Sequence, residues 1–266
     1  MTKTHALILT VFSFVLITGI LFAQAPALPV YEGFNYPVGD LVGNAGWEQT
    51  GNNAAFPVQI EADSLTYAGL PVSTGGKVKL INASNAEDPG FDIVPTGSQT
   101  EASSVFASMI LNVVNEGNTT GDYFFNFSSA GKTKTDYHSR IFIKKGSADG
   151  KYLLGVRNAS SDAIQWETAD RDIGTPVFVV VSYDFVVGEG NDVSRIWINP
   201  ELGQAAPGTP SLTTVGSGTD LGAVGRVNIR QGSGNTDLAY ELDELRVGSW
   251  TDVTPAGSGV SDWSKL

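Results

Sequence analysis

The chain has 266 residues and a formal net charge of −12, because 28 Asp and Glu residues outnumber 16 Lys and Arg residues. An acidic surface repels phosphate backbones and anionic membranes, so no nucleic-acid partner is expected. The chain has no cysteine and only two histidines, which excludes thiolate nucleophiles, disulfides, cysteine zinc sites and multi-histidine mechanisms.

The first 25 residues have the pattern of a secretory signal peptide. A hydrophobic run over residues 6–22 follows a start that carries Lys3, and small residues lie at Ala23 and Ala25. A basic start, an apolar middle and small residues before the cleavage point define such a leader. The run approaches the roughly 18 residues of a spanning helix, which leaves an uncleaved membrane anchor as the alternative. We therefore predict a secreted or surface-displayed protein, with no membrane insertion after cleavage.

Beyond the leader, short β-rich runs alternate with clusters of Gly, Ser, Asn and Asp. The chain has 31 glycines and 12 prolines, which are typical of turns between strands. The predicted strands are residues 78–82, 104–114, 123–128, 140–144, 152–157, 176–186, 194–199, 225–230 and 238–247. Many strands without intervening helices predict an antiparallel sandwich or barrel. One domain is predicted over residues 26–254, followed by a linker and C-terminal tail over 255–266.

Hydrophobic patterns indicate how these strands are buried. Residues 177–181 are apolar on both faces, which predicts a central strand that is covered on both sides. Residues 194–199 alternate instead, with Ile196 and Ile198 on one face. Residues 225–230 alternate in the same way. The two alternating strands are predicted to bury one face and to present a polar one.

Five short segments carry a family resemblance. They are residues 30–37 with the pair Gly46-Trp47 after them, 123–127, 194–200, 225–230 and 240–253. In this order they resemble the laminin-G/concanavalin-A-like domains of exported bacterial proteins, over essentially the whole chain after the leader. The resemblance implies an all-β, antiparallel two-sheet β-sandwich (concanavalin A-like jelly roll). It also implies a role in glycan binding, in adhesion or as an accessory module.

The resemblance further implies a structural calcium ion between the first and last strands. Related modules take a carboxylate from each strand, and Glu32 and Asp243 fall at the matching positions. Calcium takes about six to eight oxygen ligands, and a site that joins both chain ends would stabilise the sandwich. The alternative is that Glu32 caps a turn and Asp243 accepts hydrogen bonds from backbone amides. No other cofactor is expected.

Two carboxylates on the last predicted strand raise the question of catalysis. Glu241 and Asp243 are two residues apart and share one face of the strand. Laminarinase-like hydrolases on this fold need a second glutamate nearby, because retaining hydrolysis uses carboxyl groups about 5 Å apart. The required positions hold Leu245 and Arg246, and Glu244 lies on the opposite face unless a bulge intervenes. The motif is incomplete, so the sequence does not predict an enzyme.

Polysaccharide lyases on a jelly roll are the other catalytic alternative. They use a Tyr/His pair beside Arg or Gln to abstract a proton, and Tyr137, His138 and Arg140 supply these residue types. Consecutive residues of a strand face opposite ways, which argues against a shared site. A lone histidine at a strand entrance is more often a surface or capping residue.

Polar and aromatic side chains on two alternating strands predict a ligand site. Tryptophan and tyrosine stack against sugar rings because they offer a flat apolar face with a hydrogen-bonding edge. The predicted ligand-binding residues are Trp197, Arg195, Asn199, Arg226, Asn228 and Arg230, with Trp166 and Tyr137 in neighbouring loops. Basic residues on both strands would suit an anionic glycan. The alternative is that Trp197 packs inward and the arginines are ordinary surface charges.

Together these patterns predict a secreted or surface non-catalytic β-sandwich module that binds carbohydrate or serves in adhesion. Its expected partner is a glycan or cell-surface polysaccharide. A polysaccharide lyase or glycoside hydrolase on the same fold is one alternative. A structural subunit of a surface layer or fibre is another.

Overall fold

The chain forms strands that pair into two sheets, as a computed structural model shows for residues 24–235 and 237–257. Most of the predicted signal peptide (residues 1–23) and residues 258–266 of the predicted tail lie outside the described residues. In chain order the elements are β1 (Val30–Glu32), β2 (Gly39–Asp40), β3 (Glu48–Gln49), β4 (Gln59–Glu61), β5 (Lys77–Ile81), β6 (Pro89–Thr96), β7 (Ser103–Asn115), β8 (Asp122–Ser128), β9 (His138–Lys145), β10 (Lys151–Arg157), β11 (Gln165–Trp166), β12 (Arg171–Asp172), β13 (Val177–Phe185), β14 (Val193–Ile198), β15 (Leu212–Val215), β16 (Val224–Ile229), β17 (Ala239–Gly248) and α1 (Trp250–Val253).

The two sheets form a sandwich. Sheet A has the strand order β15-β14-β13-β7-β17-β5-β4-β2, and β1 pairs with β17 as well. Sheet B has the order β11-β10-β9-β8-β16-β6-β3, and β12 pairs with β10. Neighbouring strands run antiparallel in both sheets. The predicted all-β class and two-sheet antiparallel sandwich are therefore confirmed.

The main core lies between the sheets, where alternate side chains of each strand meet. β13 is buried along its whole length. Its residues Val179 and Val181 enter the main core, while Phe178 and Val180 belong to a second cluster on the outer side of sheet A. The prediction of a central strand that is covered on both sides is confirmed.

The second cluster covers part of the outer side of sheet A. Its buried members are Leu65, Leu70, Phe106, Ile110, Phe178, Val180, Trp197, Trp250 and Val253. Helix α1 begins at a capping box, in which Ser249 and Asp252 each bond the backbone N–H of the other. The helix and the segment 65–70 therefore seal this side of the sheet. In the described part of the chain, no helix is long and apolar enough to cross a membrane.

A β-bulge interrupts β17 at Glu244, whose φ is +56°. The register between β17 and β7 shifts between Asp243 and Arg246. Leu242 and Leu245 both belong to the main core, so the two residues between them are left for the outer side of sheet A. The bulge thus places Asp243 and Glu244 next to each other.

Asp243 and Glu244 belong to a buried cluster of charged residues. Arg246 forms an ion pair with Glu244, and the Tyr31 hydroxyl donates a hydrogen bond to the Glu244 carboxylate at 2.6 Å. Burial, together with the negative charge of Glu244, raises the pKa of Asp243 to about 8. The Asp243 carboxyl group therefore carries its proton at neutral pH.

We expect the titration of Asp243 to make the protein less stable as the pH rises from 4 towards 8. Its pKa is near 3.8 in an unfolded chain and about 8 in the fold, so between these values the folded state binds the extra proton. Each pH unit in this window lowers the free energy of unfolding by up to about 1.4 kcal/mol. Below the window both states are protonated, and above it both are ionised. Urea unfolding at pH 5 and pH 7 measures this slope.

Asp243→Asn is the variant that tests this assignment. The amide stays neutral at every pH, so the slope should become flatter than that of the wild type. Gln204→Ala, at an exposed and uncharged side chain, is the control that should leave the slope unchanged. An unchanged slope in Asp243→Asn would assign the pH dependence to other groups.

Candidate functional site

The structure divides the six predicted ligand-binding residues between the two sheets. Trp197, Arg195 and Asn199 belong to β14 and its end in sheet A, whereas Arg226, Asn228 and Arg230 belong to β16 and its end in sheet B. The inner sides of the two sheets face each other across the main core, so the polar sides of these strands point away from one another. The expectation that both strands line one surface is therefore corrected.

The three residues of sheet A have structural roles. Trp197 is 4% exposed, and its Nε1 donates to the carbonyl of Gly208 at 2.8 Å. Arg195 forms an ion pair with Asp184. Asn199 accepts a hydrogen bond from the backbone of β13 at 2.9 Å. The second cluster covers the indole of Trp197, which corrects the prediction that this ring is free to stack against a sugar.

A cleft of about 370 Å³ borders Trp197 and Asn199. Glu201 and Gln204 line it as well, and none of its lining residues is a lysine or arginine. Trp250, the other tryptophan of the lining, is also buried. The cleft therefore presents neither a free aromatic face nor a positive charge, and it does not match the predicted glycan site.

Arg226 and Asn228 are buried in a hydrogen-bond network of sheet B. Arg226 is 0% exposed, and its Nη1 contacts Glu48 Oε1 at 3.1 Å and Asp92 Oδ1 at 2.8 Å. Asn228 is 2% exposed; it accepts from Arg226 Nε at 3.0 Å and donates to Asn126 Oδ1 at 3.0 Å. Both side chains are engaged inside the protein, which corrects their assignment as ligand contacts.

Arg230 differs from the other five, because it reaches an accessible aromatic surface. Its guanidinium carbon lies 4.1 Å from the ring centre of Tyr123, and that of Arg140 lies 5.0 Å from the same ring. The Arg140 guanidinium also lies 5.7 Å from the ring centre of Tyr137. Cations within about 6 Å of a ring centre are attracted to its π-system. Tyr123 is therefore contacted by two arginines on the outer side of sheet B.

We refer to this part of sheet B as the aromatic–arginine face. Strands β9 and β10 point Ile141, Ile143 and Val156 into the main core, so the residues that alternate with them lie on the outer side. Trp166 joins them from β11, which pairs with β10. The face consists of Tyr123, Tyr137, Arg140, Phe142, Lys144, Arg157, Trp166 and Arg230.

Four aromatic rings follow one another across the aromatic–arginine face. Ring centres are 6.3 Å apart for Tyr137 and Tyr123, 5.5 Å for Tyr123 and Phe142, and 6.0 Å for Phe142 and Trp166. Gly155 makes room for the last ring, because a Cβ at this position would lie 2.6 Å from Trp166. Phe142 is buried, whereas the other three rings are partly exposed. The row spans the sheet from β8 to β11.

Burial also shifts the ionisable groups of this face. It raises the pKa of Tyr123 and of Tyr137, so both phenols keep their protons at neutral pH. It lowers the pKa of Arg140 and of Arg157, although an arginine stays charged in proteins. The face therefore combines protonated phenols with positive guanidinium groups.

The residue types of a lyase do not come together in a shared site. Both ring nitrogens of His138 lie 2.9 Å from backbone carbonyls, those of Asp136 and Thr219. The imidazole packs edge-on against Tyr183, a residue of the main core. Tyr137 lies on the outer side of sheet B, so His138 does not face it. The geometry does not favour proton abstraction by this pair.

The carboxylates of β17 are engaged as well. Glu241 forms an ion pair with Lys77 at 2.9 Å, and Glu244 forms one with Arg246. Leu245, at one of the positions where a hydrolase needs its second glutamate, lies in the main core. Because of the bulge, Glu244 lies on the same outer side as Asp243 and not on the opposite face, which corrects that expectation.

Glu32 and Asp243, the predicted calcium ligands, already accept hydrogen bonds. The Glu32 carboxylate accepts from the Tyr36 hydroxyl at 2.6 Å and from Trp47 Nε1 at 2.9 Å. Asp243 accepts from the backbone N–H of Leu65 at 2.8 Å. Within residues 24–235 and 237–257, no group of three or more acidic or histidine side chains could hold a metal ion. The contacts of Asp243 match the alternative, in which its carboxyl group accepts hydrogen bonds from backbone amides; a calcium ion shared by Glu32 and Asp243 stays a prediction.

Tyr123, Phe142 and Arg157 are site residues that the sequence patterns above do not single out. A usable signal was present in β9, where Arg140, Phe142 and Lys144 alternate with isoleucines. This is the same alternation that drew attention to β14 and β16. Which strands share a sheet, however, depends on long-range pairing that the sequence does not display.

Comparisons with known proteins give only distant similarities. No family model and no curated protein matches the sequence. One similar solved structure is the CBM2 module of the evolved Dit of Lactobacillus casei BL23 phage J-1, with a TM-score of 0.43, 10% identity, and coverage of 82% of this chain and 93% of that chain. Another is a SAP-like pentraxin from Limulus polyphemus, with a TM-score of 0.37, 17% identity, and coverage of 77% and 87%. A third is domain 4 of an extracellular arabinanase from Geobacillus stearothermophilus, solved with arabinotriose, with a TM-score of 0.35, 16% identity, and coverage of 74% and 86%. At these values, the function has to be argued from the residues of the site.

Proposed function

We propose that the protein is a non-catalytic carbohydrate-binding module that takes an extended saccharide along the aromatic–arginine face of sheet B. The observation that carries this proposal is the row of four rings from Tyr137 to Trp166, three of them partly exposed. Flat rings on a rigid sheet suit the apolar faces of sugars. The flanking guanidinium groups are multiple hydrogen-bond donors for sugar oxygens.

The placement of the rings on strands supports a saccharide chain over a single small molecule. Tyr123 lies on β8 and Trp166 on β11, and their ring centres lie 5.5 and 6.0 Å from that of Phe142 between them. Strands lie about 4.8 Å apart, and each ring can therefore contact a different part of an extended ligand. The predicted export of the chain would bring such a face to extracellular polysaccharides.

Isothermal titration of oligosaccharides against ring-deletion variants tests this function. Trp166→Ala and Tyr123→Ala are each expected to weaken binding about tenfold, because one aromatic contact contributes up to about 1.5 kcal/mol. Tyr67→Ala removes a ring that packs on the outer side of sheet A, and it is the matched control that should bind like the wild type. Thermal melting of each variant checks that the fold is retained.

Three other outcomes would contradict the proposal. New reducing or unsaturated sugar ends would indicate a hydrolase or a lyase. Binding that is lost in Tyr67→Ala and kept in Trp166→Ala would move the site to sheet A. If no saccharide binds across a broad glycan array, a structural subunit becomes the better explanation.

A further inference from the structure

Ten of the fourteen lysines and arginines that the structure describes form an ion pair with a carboxylate. The paired side chains are Lys77, Lys79, Lys132, Lys145, Lys151, Arg171, Arg195, Arg226, Arg230 and Arg246. Among the described residues, the exceptions are Lys134, Arg140, Lys144 and Arg157. Lys134 lies in the exposed loop before β9, and the other three belong to the aromatic–arginine face. In a chain of net charge −12, this concentration of unpaired cations needs an explanation.

Arg140 and Arg157 are direct cross-strand neighbours in the pairing of β9 with β10. Like charges in this position destabilise a sheet. Arg140 is 7% exposed, and the one side-chain hydrogen bond that it makes within the described residues goes from Nε to the carbonyl of Tyr137 at 3.1 Å. Arg157 lies 5.0 Å from the ring centre of Phe142, and its buried Nε has no hydrogen-bond partner in the described part of the chain.

The two carboxylates that act electrostatically on Arg157 are those of Asp122 and Asp162, and both have other hydrogen-bond partners. Asp122 accepts from Arg230 Nη1 at 2.7 Å and from the backbone of Gly234 at 2.8 Å. Asp162 accepts from the backbone of Ala159 at 2.8 Å and from the Ser217 hydroxyl at 2.6 Å. Among the described residues neither acid forms an ion pair with Arg140 or Arg157, and both act on Arg157 only by attraction over a longer distance.

We infer that the Arg140–Arg157 pair is a subsite for an acidic substituent, and that the saccharide bound by the aromatic–arginine face is anionic. This inference rests on the function proposed above and specifies the ligand class of the same face. A carboxylate or sulfate group matches the fork of donors that a guanidinium presents. It would also replace the repulsion between the two arginines by attraction.

Lys144 extends the positive charge along the same face. Its Nζ lies 4.3 Å from the ring centre of Trp166. Along β9 it lies four residues from Arg140, roughly 13 Å at the rise of a strand. An extended polymer with repeated acidic groups could therefore contact both positions, whereas a single small anion could contact only one.

Binding measurements with matched ligands test the inference. The probes are a linear oligosaccharide of uronic acids, the same oligosaccharide after its carboxyl groups are reduced to alcohols, and a sulfated oligosaccharide of equal length. The wild type is expected to bind an acidic ligand at least about tenfold more tightly than the reduced one, since hydrogen bonds to charged groups are the stronger ones. This preference should shrink as salt is raised. The better of the two acidic ligands identifies the substituent as a carboxylate or a sulfate.

Arg157→Gln should weaken acidic-ligand binding about tenfold and leave binding of the reduced ligand within about twofold. Arg157→Lys keeps the charge and should recover part of the loss. Arg195→Gln, which removes an arginine from sheet A, is the matched control and should bind like the wild type. Without ligand, Arg157→Gln should melt up to about 3 °C higher than the wild type, because a repulsive pair has been removed.

The results separate this inference from the proposed function. Equal binding of acidic and reduced ligands, unaffected by Arg157→Gln, would overturn the inference and leave the carbohydrate-binding function in place. A failure of all three ligands to bind would remove both. A lower melting temperature for Arg157→Gln, with equal loss of both kinds of ligand, would mean that Arg157 only supports the fold.

Discussion

Replacing Trp197 by alanine is expected to destabilise the protein by about 3–5 kcal/mol and to leave saccharide binding unchanged. The indole ring packs against Trp250 and Phe106, with ring centres 5.2 and 5.9 Å away. It also donates a hydrogen bond to the carbonyl of Gly208 at 2.8 Å. Truncation would open a cavity beneath α1 and leave that carbonyl without its donor. The large effect follows from burial at 4% exposure.

Urea unfolding of Trp197→Ala beside the wild type measures this loss. Trp197→Phe is the matched control: it keeps an aromatic ring in the cluster and removes the N–H donor, so it should cost only about 1–2 kcal/mol. Saccharide titration of both variants should give the affinity of the wild type. A folded Trp197→Ala protein that no longer binds ligand would restore Trp197 to the site and move the ligand to sheet A.

Most of the longer strands could be predicted from the sequence, because their alternation is local information. Every predicted strand has a counterpart whose ends differ by at most two residues, from β5 near the start to β17 at the end. The predicted strands do not include the eight-residue strand β6. It begins with Pro89 and Gly90 and carries Pro95, which are turn signals in a sequence. The fold overrides them because β6 pairs with β16 on one side and with β3 on the other.

The candidate site was harder to predict, since it depends on what covers each strand face. Alternation assigns Trp197 to the polar face of its strand, but it contains no sign that α1 and the segment 65–70 cover that face. The sequence pattern shows the polar side of β16 equally well. Arg226 on that side is nevertheless buried, by partners more than a hundred positions away in the sequence such as Glu48 and Asp92. Arg230 remained on the accessible surface because its neighbours are the rings and arginines of β8 and β9.

The outer sides of the two sheets therefore differ in their physical character. Sheet A is sealed by a helix and a loop, and its charges on β17 are compensated internally, as in the pair Glu244–Arg246. The aromatic–arginine face of sheet B keeps partly exposed rings and two uncompensated arginines. Such a local conflict with the general rule of paired charges is typical of functional sites. This contrast leads us to propose binding on the aromatic–arginine face of sheet B, and a stabilising role for the outer side of sheet A and for the Arg226 network between β16, β6 and β3.

Replacing Arg226 by methionine is expected to destabilise the protein by about 1.5–3 kcal/mol, because the buried oxygens of Asn228 and Thr50 lose their charged hydrogen-bond donor. Arg226 is 0% exposed. It holds Glu48 of β3 and Asp92 of β6 through Nη1, and Thr50 through Nη2 at 3.0 Å. Methionine fills a similar volume without these bonds. The segment around β3 should therefore detach from the edge of sheet B.

Urea unfolding and hydrogen exchange of Arg226→Met test this role. Protection should be lost first at residues 48–50, because Arg226 is their anchor. Adding Asp92→Asn to Arg226→Met should recover part of the stability, since it removes a carboxylate left without its cation. The control is Lys151→Gln, which breaks an ion pair whose two side chains, Lys151 and Asp172, are 38% and 67% exposed, and it should cost no more than about 1 kcal/mol. If Arg226→Met destabilises the protein as little as this control does, the buried network contributes little to stability. Its role is then to determine that β3, β6 and β16 pair with one another, as some buried ion pairs do.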